Sequence, residues 1–251
     1  MLNFLRNLRR EPSSKYLKYA LGEIFLVVVG ILIALWINNL NEGRKEKAYE
    51  KRMLSELEVA LDNDIAIFKR YEGFLKTWNY SLYYLTEALN SPNPSKLNKD
   101  SIYHHLDVIE GFGIYIAYST GPYESIRSSG LDKISNDELR SAIARIYSAD
   151  LPSLDIWINE IIRQNITKKF DLFGVLFDSR IVALDSTVKD VMIMENLDFL
   201  KEPLFTDILI EANRAISSSR GPMQVNRERM KVLRDLIRQE IQWYAQLLPE
   251  T

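Results

Sequence analysis

The sequence predicts an all-α protein. A single N-terminal transmembrane helix continues into a long heptad-patterned helix, and an extramembrane helical bundle follows. Three observations carry that prediction. All fourteen residues from Ile24 to Ile37 are apolar or glycine. Leucines and aromatics then recur in alternating three- and four-residue steps from Leu54 to Leu89. Glycine and proline are sparse, 10 and 8 among 251 residues, and they fall between further helical patterns.

The chain divides on this reading into a basic tail (1–18), a span (19–38) and a domain (39–251). Extended back to Tyr19, the apolar run reaches about 20 residues, which at about 1.5 Å each matches a hydrocarbon core of roughly 30 Å. A soluble core helix of this composition would need protein on every side. Tyr16 and Tyr19 at one end and Trp36 at the other suit interfacial belts, and Asn38, Asn39 and Asn41 mark the exit into water. A cleaved signal peptide fits less well. The run is long for such a peptide, and no small-x-small site follows it before the charged GRKEK stretch.

Ahead of the span, Arg6, Arg9, Arg10, Lys15 and Lys18 outnumber Glu11. Beyond it, Arg44, Lys45 and Lys47 are mixed with Glu42 and Glu46. The Lys and Arg bias orients the amino terminus into the cytoplasm and the domain outside. In a Gram-negative cell that means the inner membrane, with the domain in the periplasm. Glu23 interrupts the apolar character near the cytoplasmic end. It reads either as a boundary residue whose side chain bends back to water or a nearby Lys, or as an intramembrane acid that packs against a partner helix or serves a proton-linked process. Gly30 and Ala34 form a small-xxx-small pair that permits close helix approach.

The net charge is −2. Residues 1–18 hold +4 and Glu23 one negative charge, which leaves −5 on residues 38–251. That mild acidity argues against a nucleic-acid surface. Cysteine is absent, so disulfides, thiolate metal sites and thiol nucleophiles are excluded.

Along the domain, Leu54, Leu57, Leu61, Phe68, Tyr71, Leu75, Trp78, Leu82, Leu85 and Leu89 make about five heptads, interrupted at Asp64. Phe68, Tyr71, Phe74, Trp78, Tyr80, Tyr83 and Tyr84 read as a bundle core with a tyrosine rim; an aromatic ligand cluster is the alternative. Ser91-Pro92-Asn93-Pro94 ends this helix. A second helix covers Lys99–Glu110, and GFGIYIAYSTGPY breaks the pattern as loop or short strand. Tyr123–Ser129 forms a short helix stopped by Gly130. Ser135 and Glu138 have capping-box spacing and start a helix near Asn136, with Leu139, Ile143, Ile146 and Tyr147 inward. Pro152 separates it from a helix over Ser153–Phe173. Residues 174–200 read as broken helix or extended chain. Helix returns over Pro203–Ser218, and Gly221-Pro222 opens a last helix with Met230, Leu233, Ile237, Ile241 and Tyr244 on one face, ended by Pro249. The first and last long helices are expected to pack antiparallel.

The chemistry-bearing motifs for phosphate loops, dinucleotide binding, zinc proteases and serine hydrolases are missing. His104 and His105 are adjacent, so on a helix they diverge by about 100° and cannot chelate one ion together. His105 with Glu110, or His104 with Asp107, offers at most a weak surface site. Asp62 and Asp64, Asp137 and Glu138, and Glu195 and Asp198 read as charges on solvated faces. No enzyme, cofactor or metal is expected.

Two blocks resemble a known family. KYLKYALGEIFLVVVGILIALWINNLNEGRKEK is similar to the amino-terminal pattern of single-pass membrane proteins common in the Bacteroidota, a domain of unknown function (DUF6090). Lys15, Tyr16, Tyr19, Ala20, Gly22, Glu23, Ile24, Gly30 to Leu35, Ile37, Asn38, Asn39, Asn41 and Glu42 fall on that pattern. Leu40 stands where the family carries tryptophan. Tyr123 to Gly130 and Ile134 to Arg140 resemble its second block. The resemblance implies the topology and compartment, and places Glu23 in a recurring pattern, but implies no mechanism.

The expected function is a membrane-anchored interaction module in the lipid bilayer. It would be a homo-oligomeric scaffold, an accessory subunit bound to another envelope protein, or both. The second expectation is a periplasmic ligand-sensing bundle that signals through a partner, with GFGIYIAYSTGPY lining its pocket.

Overall fold

The computed structural model describes residues 13–184 and 186–247. The basic tail's Arg6, Arg9, Arg10 and Glu11, and the stop at Pro249, lie outside the described residues. The chain forms two compact units, residues 1–52 and 53–251, and their boundary falls inside the first helix, α1 (Ser13–Leu89).

In the first unit, α1 carries one stretch long and apolar enough to cross a membrane, with mean hydropathy 2.6 and none of it buried by the chain. Beyond this stretch, Asn38 Nδ2 donates to Glu42 Oε1 at 3.1 Å, and Arg52 lies over the Tyr49 ring at 5.3 Å.

The second unit is helical, as the periodicity predicts. Leu54, Leu57, Leu61, Phe68, Leu75, Leu82 and Leu85 of α1 are buried, each leucine contributing about 1.5–3 kcal/mol of apolar transfer. Asn98 caps α2 (Lys99–Glu110) by accepting from the Ser101 N–H at 3.0 Å. Residues 112–120 have no regular structure. α3 (Gly121–Ser129) starts two residues earlier than the sequence suggests, with Pro122 in its first turn, where a missing N–H costs nothing. Gly130 stops it at φ 103, and a Cβ there would run into the Asp132 carboxylate.

The cap of α4 (Asp137–Arg145) corrects the capping-box reading. Asn136 accepts from the Glu138 and Leu139 N–H groups, both at 3.1 Å, while the Ser135 hydroxyl turns to the Tyr244 hydroxyl at 2.8 Å. Pro152 does not separate two helices either. The chain continues through a π turn (Ile146–Asp150), α5 (Leu151–Ile156), a second π turn (Trp157–Ile162) and α6 (Arg163–Leu176). A proline ring inside an α ladder collides with the carbonyl four residues back. The wide π turn just before Pro152 relieves that collision.

Two strands, β1 (Ser179–Leu184) and β2 (Thr187–Met192), pair antiparallel as a hairpin, with Leu184 opposite Thr187 and Ser179 opposite Met192. This small sheet is the one β element among the described residues. α7 (Pro203–Leu247) then runs unbroken through Gly221-Pro222, which corrects the expectation of two helices. Pro222 has no N–H for the Ser218 carbonyl, and the indole Nε1 of Trp157 supplies the donor instead at 3.0 Å.

Phe205, Ile208, Met223, Met230, Leu233, Ile237 and Tyr244 line the buried face of α7. Its packing against α1 is antiparallel. Arg238 pairs with Glu58 and Asp62, both at 2.6 Å, and Arg227 pairs with Glu72 at 2.8 Å, so numbers rise along one helix as they fall along the other.

Candidate functional site

Two places in the second unit bring polar groups together. The first moors residues 112–119. Phe112, Ile114 and Ile116 are buried while Gly113, Tyr115 and Ala117 face outward, which is the alternation of an extended strand. Among the described residues no strand pairs with it, and side chains from three helical segments bond its backbone at Phe112, Ile116 and Ser119 instead. Lys169 of α6 donates from Nζ to the carbonyls of Ile109 (2.7 Å), Glu110 (2.7 Å) and Phe112 (2.9 Å). Two of these are carbonyls at the end of α2, where intrahelical donors run out. Asn159 of the second π turn accepts from the Ile116 N–H at 3.0 Å and donates to the Ile116 carbonyl at 2.8 Å. Asp64 of α1 accepts from the Ser119 N–H (2.9 Å) and hydroxyl (3.0 Å).

Burial shapes the charges here. It lowers the Lys169 ammonium to about 7 despite the neighbouring Glu110. It raises the Asp64 carboxyl, against the two Ser119 bonds that favour the anion. It also raises the Tyr147 phenol, with Asp64 and Tyr118 adding to the effect. Tyr147 stacks on Tyr123 at 4.9 Å.

The second place is a groove between the π turn with its flanking helices α4 and α5, on one side, and α7 on the other. Arg229 of α7 bridges it to Asp150 at 2.8 Å, with Arg145 on the far carboxylate oxygen at 3.7 Å. A cavity of about 490 Å³ lies at the α4 end and one of about 290 Å³ at the α5 end, and Asp150 and Arg229 border both.

The sequence-derived candidates are placed as follows. Glu23, Gly30 and Ala34 are exposed on α1, seven and four residues apart, so they fall on one helix face. A Cβ at Gly30 would meet nothing within 4 Å. His105 is buried, bonds the Ser81 hydroxyl at 2.9 Å and lies against Tyr84, and burial with His104 lowers its pKa. No group of three metal-binding side chains occurs among the described residues. Asp62 and Asp64 serve different elements, α7 and the moored segment, and do not act as a pair. Asp137 pairs with Arg140. Of the aromatic series, Phe68 is buried, Trp78 lies 4.3 Å from Phe112, and Phe74, Tyr80 and Tyr83 are exposed.

Sequence reasoning did not find Lys169, Asn159, Asp150 or Asn226. One signal was available. Ile162, Ile166, Lys169 and Phe173 share one inward stripe, so a charged residue stands at an apolar position.

A family model, described as a family of unknown function (DUF6090), matches residues 23–213. No curated protein and no solved structure matches the chain.

Proposed function

The chain belongs to this family of unknown function, DUF6090, and from that premise we propose that it is a membrane-anchored interaction module. It would self-associate as a scaffold or serve as an accessory subunit of an envelope complex. The observation that supports this reading is the apolar stretch of α1, which the chain itself leaves unburied, with Glu23, Gly30 and Ala34 on one face. An apolar rod without protein cover suits lipid. An acid and two small residues on one side suit a neighbouring helix. The Lys and Arg bias of the flanks supports an inner-membrane span with a cytoplasmic amino terminus and a periplasmic domain. Crosslinking and mass photometry of the full chain in lipid nanodiscs test this. Oligomers or a stable co-purifying envelope protein are expected, and a solitary monomer sinks the proposal.

A second reading has its own support. The groove crossed by Asp150 and Arg229 favours a ligand-sensing bundle that passes its signal to a partner. A thermal-shift screen with no stabilising compound would count against it.

A further inference from the structure

The β1–β2 hairpin is a two-stranded sheet whose outer edges no further strand meets among the described residues. The Ile193 N–H donates to the Asp178 carbonyl at 2.7 Å, and the register continues with Arg180 opposite Val191. Bonded and non-bonded pairs alternate along an antiparallel ladder. The backbone groups of Ser179, Ile181 and Ala183 therefore point away from β2, and those of Val188, Asp190 and Met192 point away from β1. Ser179, Ile181 and Ala183 are all exposed while Met192 is buried, so β1 is the open side. Ile181 and Val188, on one face, are 79% and 72% exposed.

A lone hairpin is marginal in water, and an exposed edge is a template for another strand. Natural edges are blunted by charge, proline or a cover. The outward positions of β1 carry none of these. Charge also separates the two edges. A second copy meeting β2 about a two-fold axis at its central outward residue sets Asp190 against its own copy. The same operation on β1 centres on Ile181. Ile181 then opposes its copy, Ser179 opposes Ala183 and Arg180 opposes Val182, so no like charges stand directly across. The outward groups of both copies meet in about six N–H···O bonds.

We infer that β1 is the docking edge for β1 of a second copy, joining two hairpins into one four-stranded antiparallel sheet. A second copy brings the matching edge with it. Residues 179–183 alone are far fewer than the roughly 20–30 residues a side of a stable free interface. The pairing therefore needs copies already held in one bilayer, where the local concentration is high, and in this it rests on the self-association proposed above.

The chain has no cysteine, so single cysteines report the geometry without background. Full-length protein in liposomes carries Ile181→Cys, Val188→Cys or Ala34→Cys, and disulfide dimers are measured after mild oxidation. The axis sets the two Ile181 Cα atoms about 5.5 Å apart, within disulfide reach, and keeps the two Val188 positions at least about 14 Å apart. Ile181→Cys should dimerise about tenfold faster than Val188→Cys, although the two sites are almost equally exposed. A mixture of Ser179→Cys and Ala183→Cys chains should crosslink as well, which checks the register. Ala183→Pro removes an outward N–H, spares the bonds to β2, and should cut the Ile181→Cys yield about tenfold. Equal rates at 181 and 188 would mean random collision and overturn the proposal, as would a yield indifferent to Ala183→Pro. Dimers through Ala34→Cys with none through Ile181→Cys overturn the sheet and keep the span association. Dimers through neither overturn the sheet, and mass photometry of the same samples then judges the span by itself. In cells, a benzophenone side chain at 181 that captures another protein in place of a second copy gives the edge to a foreign strand and overturns the proposal.

Discussion

The indole Nε1 of Trp157 donates to the main-chain carbonyl of Ser218 at 3.0 Å, filling the place of the N–H that Pro222 lacks. A side chain on one helix thus completes the backbone ladder of another. Trp157→Phe should cost about 1 kcal/mol, because the carbonyl loses a protein donor that water replaces only in part. Adding Pro222→Ala restores a backbone N–H at that position and should recover much of the loss. Urea unfolding of the two single variants and the double variant measures this coupling. Additive effects would show that the indole bond is incidental.

Lys169→Met should destabilise the domain by about 2–3 kcal/mol, since three carbonyls, two of them in buried contacts, lose the ammonium donor at once and only that of Ile109 keeps a backbone N–H, from Phe112. Hydrogen exchange should rise across residues 111–119 before it rises elsewhere. Uniform protection in the variant would refute the mooring role.

The same lysine makes stability depend on pH. Its pKa falls from 10.5 in the open chain to about 7 in the fold. Between those values the unfolded chain holds a proton that the folded one has released, so stability rises with pH across that window. Below about 7 both states are charged and the slope from this group vanishes. Chemical denaturation from pH 7 to 10 should show the rise in the natural chain and its loss in Lys169→Met.

Asp64 gives a slope of opposite sign at acid pH. Its folded pKa lies above the 3.8 of the open chain, so stability from this group falls as pH climbs from 3.8 through the folded value. Asp64→Asn should flatten that segment while retaining an acceptor for the Ser119 N–H. Asp64→Leu restores the heptad stripe yet strands Ser119, and should cost about 1–3 kcal/mol. Stabilisation by leucine would show that the stripe outweighs the anchor.

Gly30→Leu should weaken self-association of the span about tenfold in dissociation constant, the scale of 1–2 kcal/mol typical of close helix pairs in lipid. Crosslinking yield in nanodiscs reads this directly. Glu23→Gln should act in the same direction if the carboxylate faces a partner helix. An unchanged yield in both places the contact elsewhere.

The helices were legible wherever apolar spacing and local caps agree. α2 falls at Lys99–Glu110 as expected because Asn98 and Gly111 mark its ends within the local sequence. Pro152 reads as a separator and Gly221-Pro222 as the opening of a new helix, because what accommodates these prolines is not local to the proline's own rule. Pro152 follows a π turn, and Pro222 relies on a tryptophan 65 residues earlier in the chain. The hairpin is legible only as the extended alternative for 174–200, because the turn position Ser186 adopts a φ of 65 without being a glycine. Asp64 was noticed only as a gap in the heptads. Its partner Ser119 lies 55 residues away, a separation no periodicity reveals.

Asn159 holds both the N–H and the carbonyl of Ile116, so a single amide side chain stands in for an entire neighbouring strand. This clasp fixes the length of the segment more tightly than its spelling. Inserting or deleting one residue between Phe112 and Ile116 would turn the greasy side chains outward and the others in. Relatives sharing the clasp are therefore free to exchange residues at 113, 115 and 117, but should keep the count between the lysine-held carbonyl and the asparagine-held peptide unchanged.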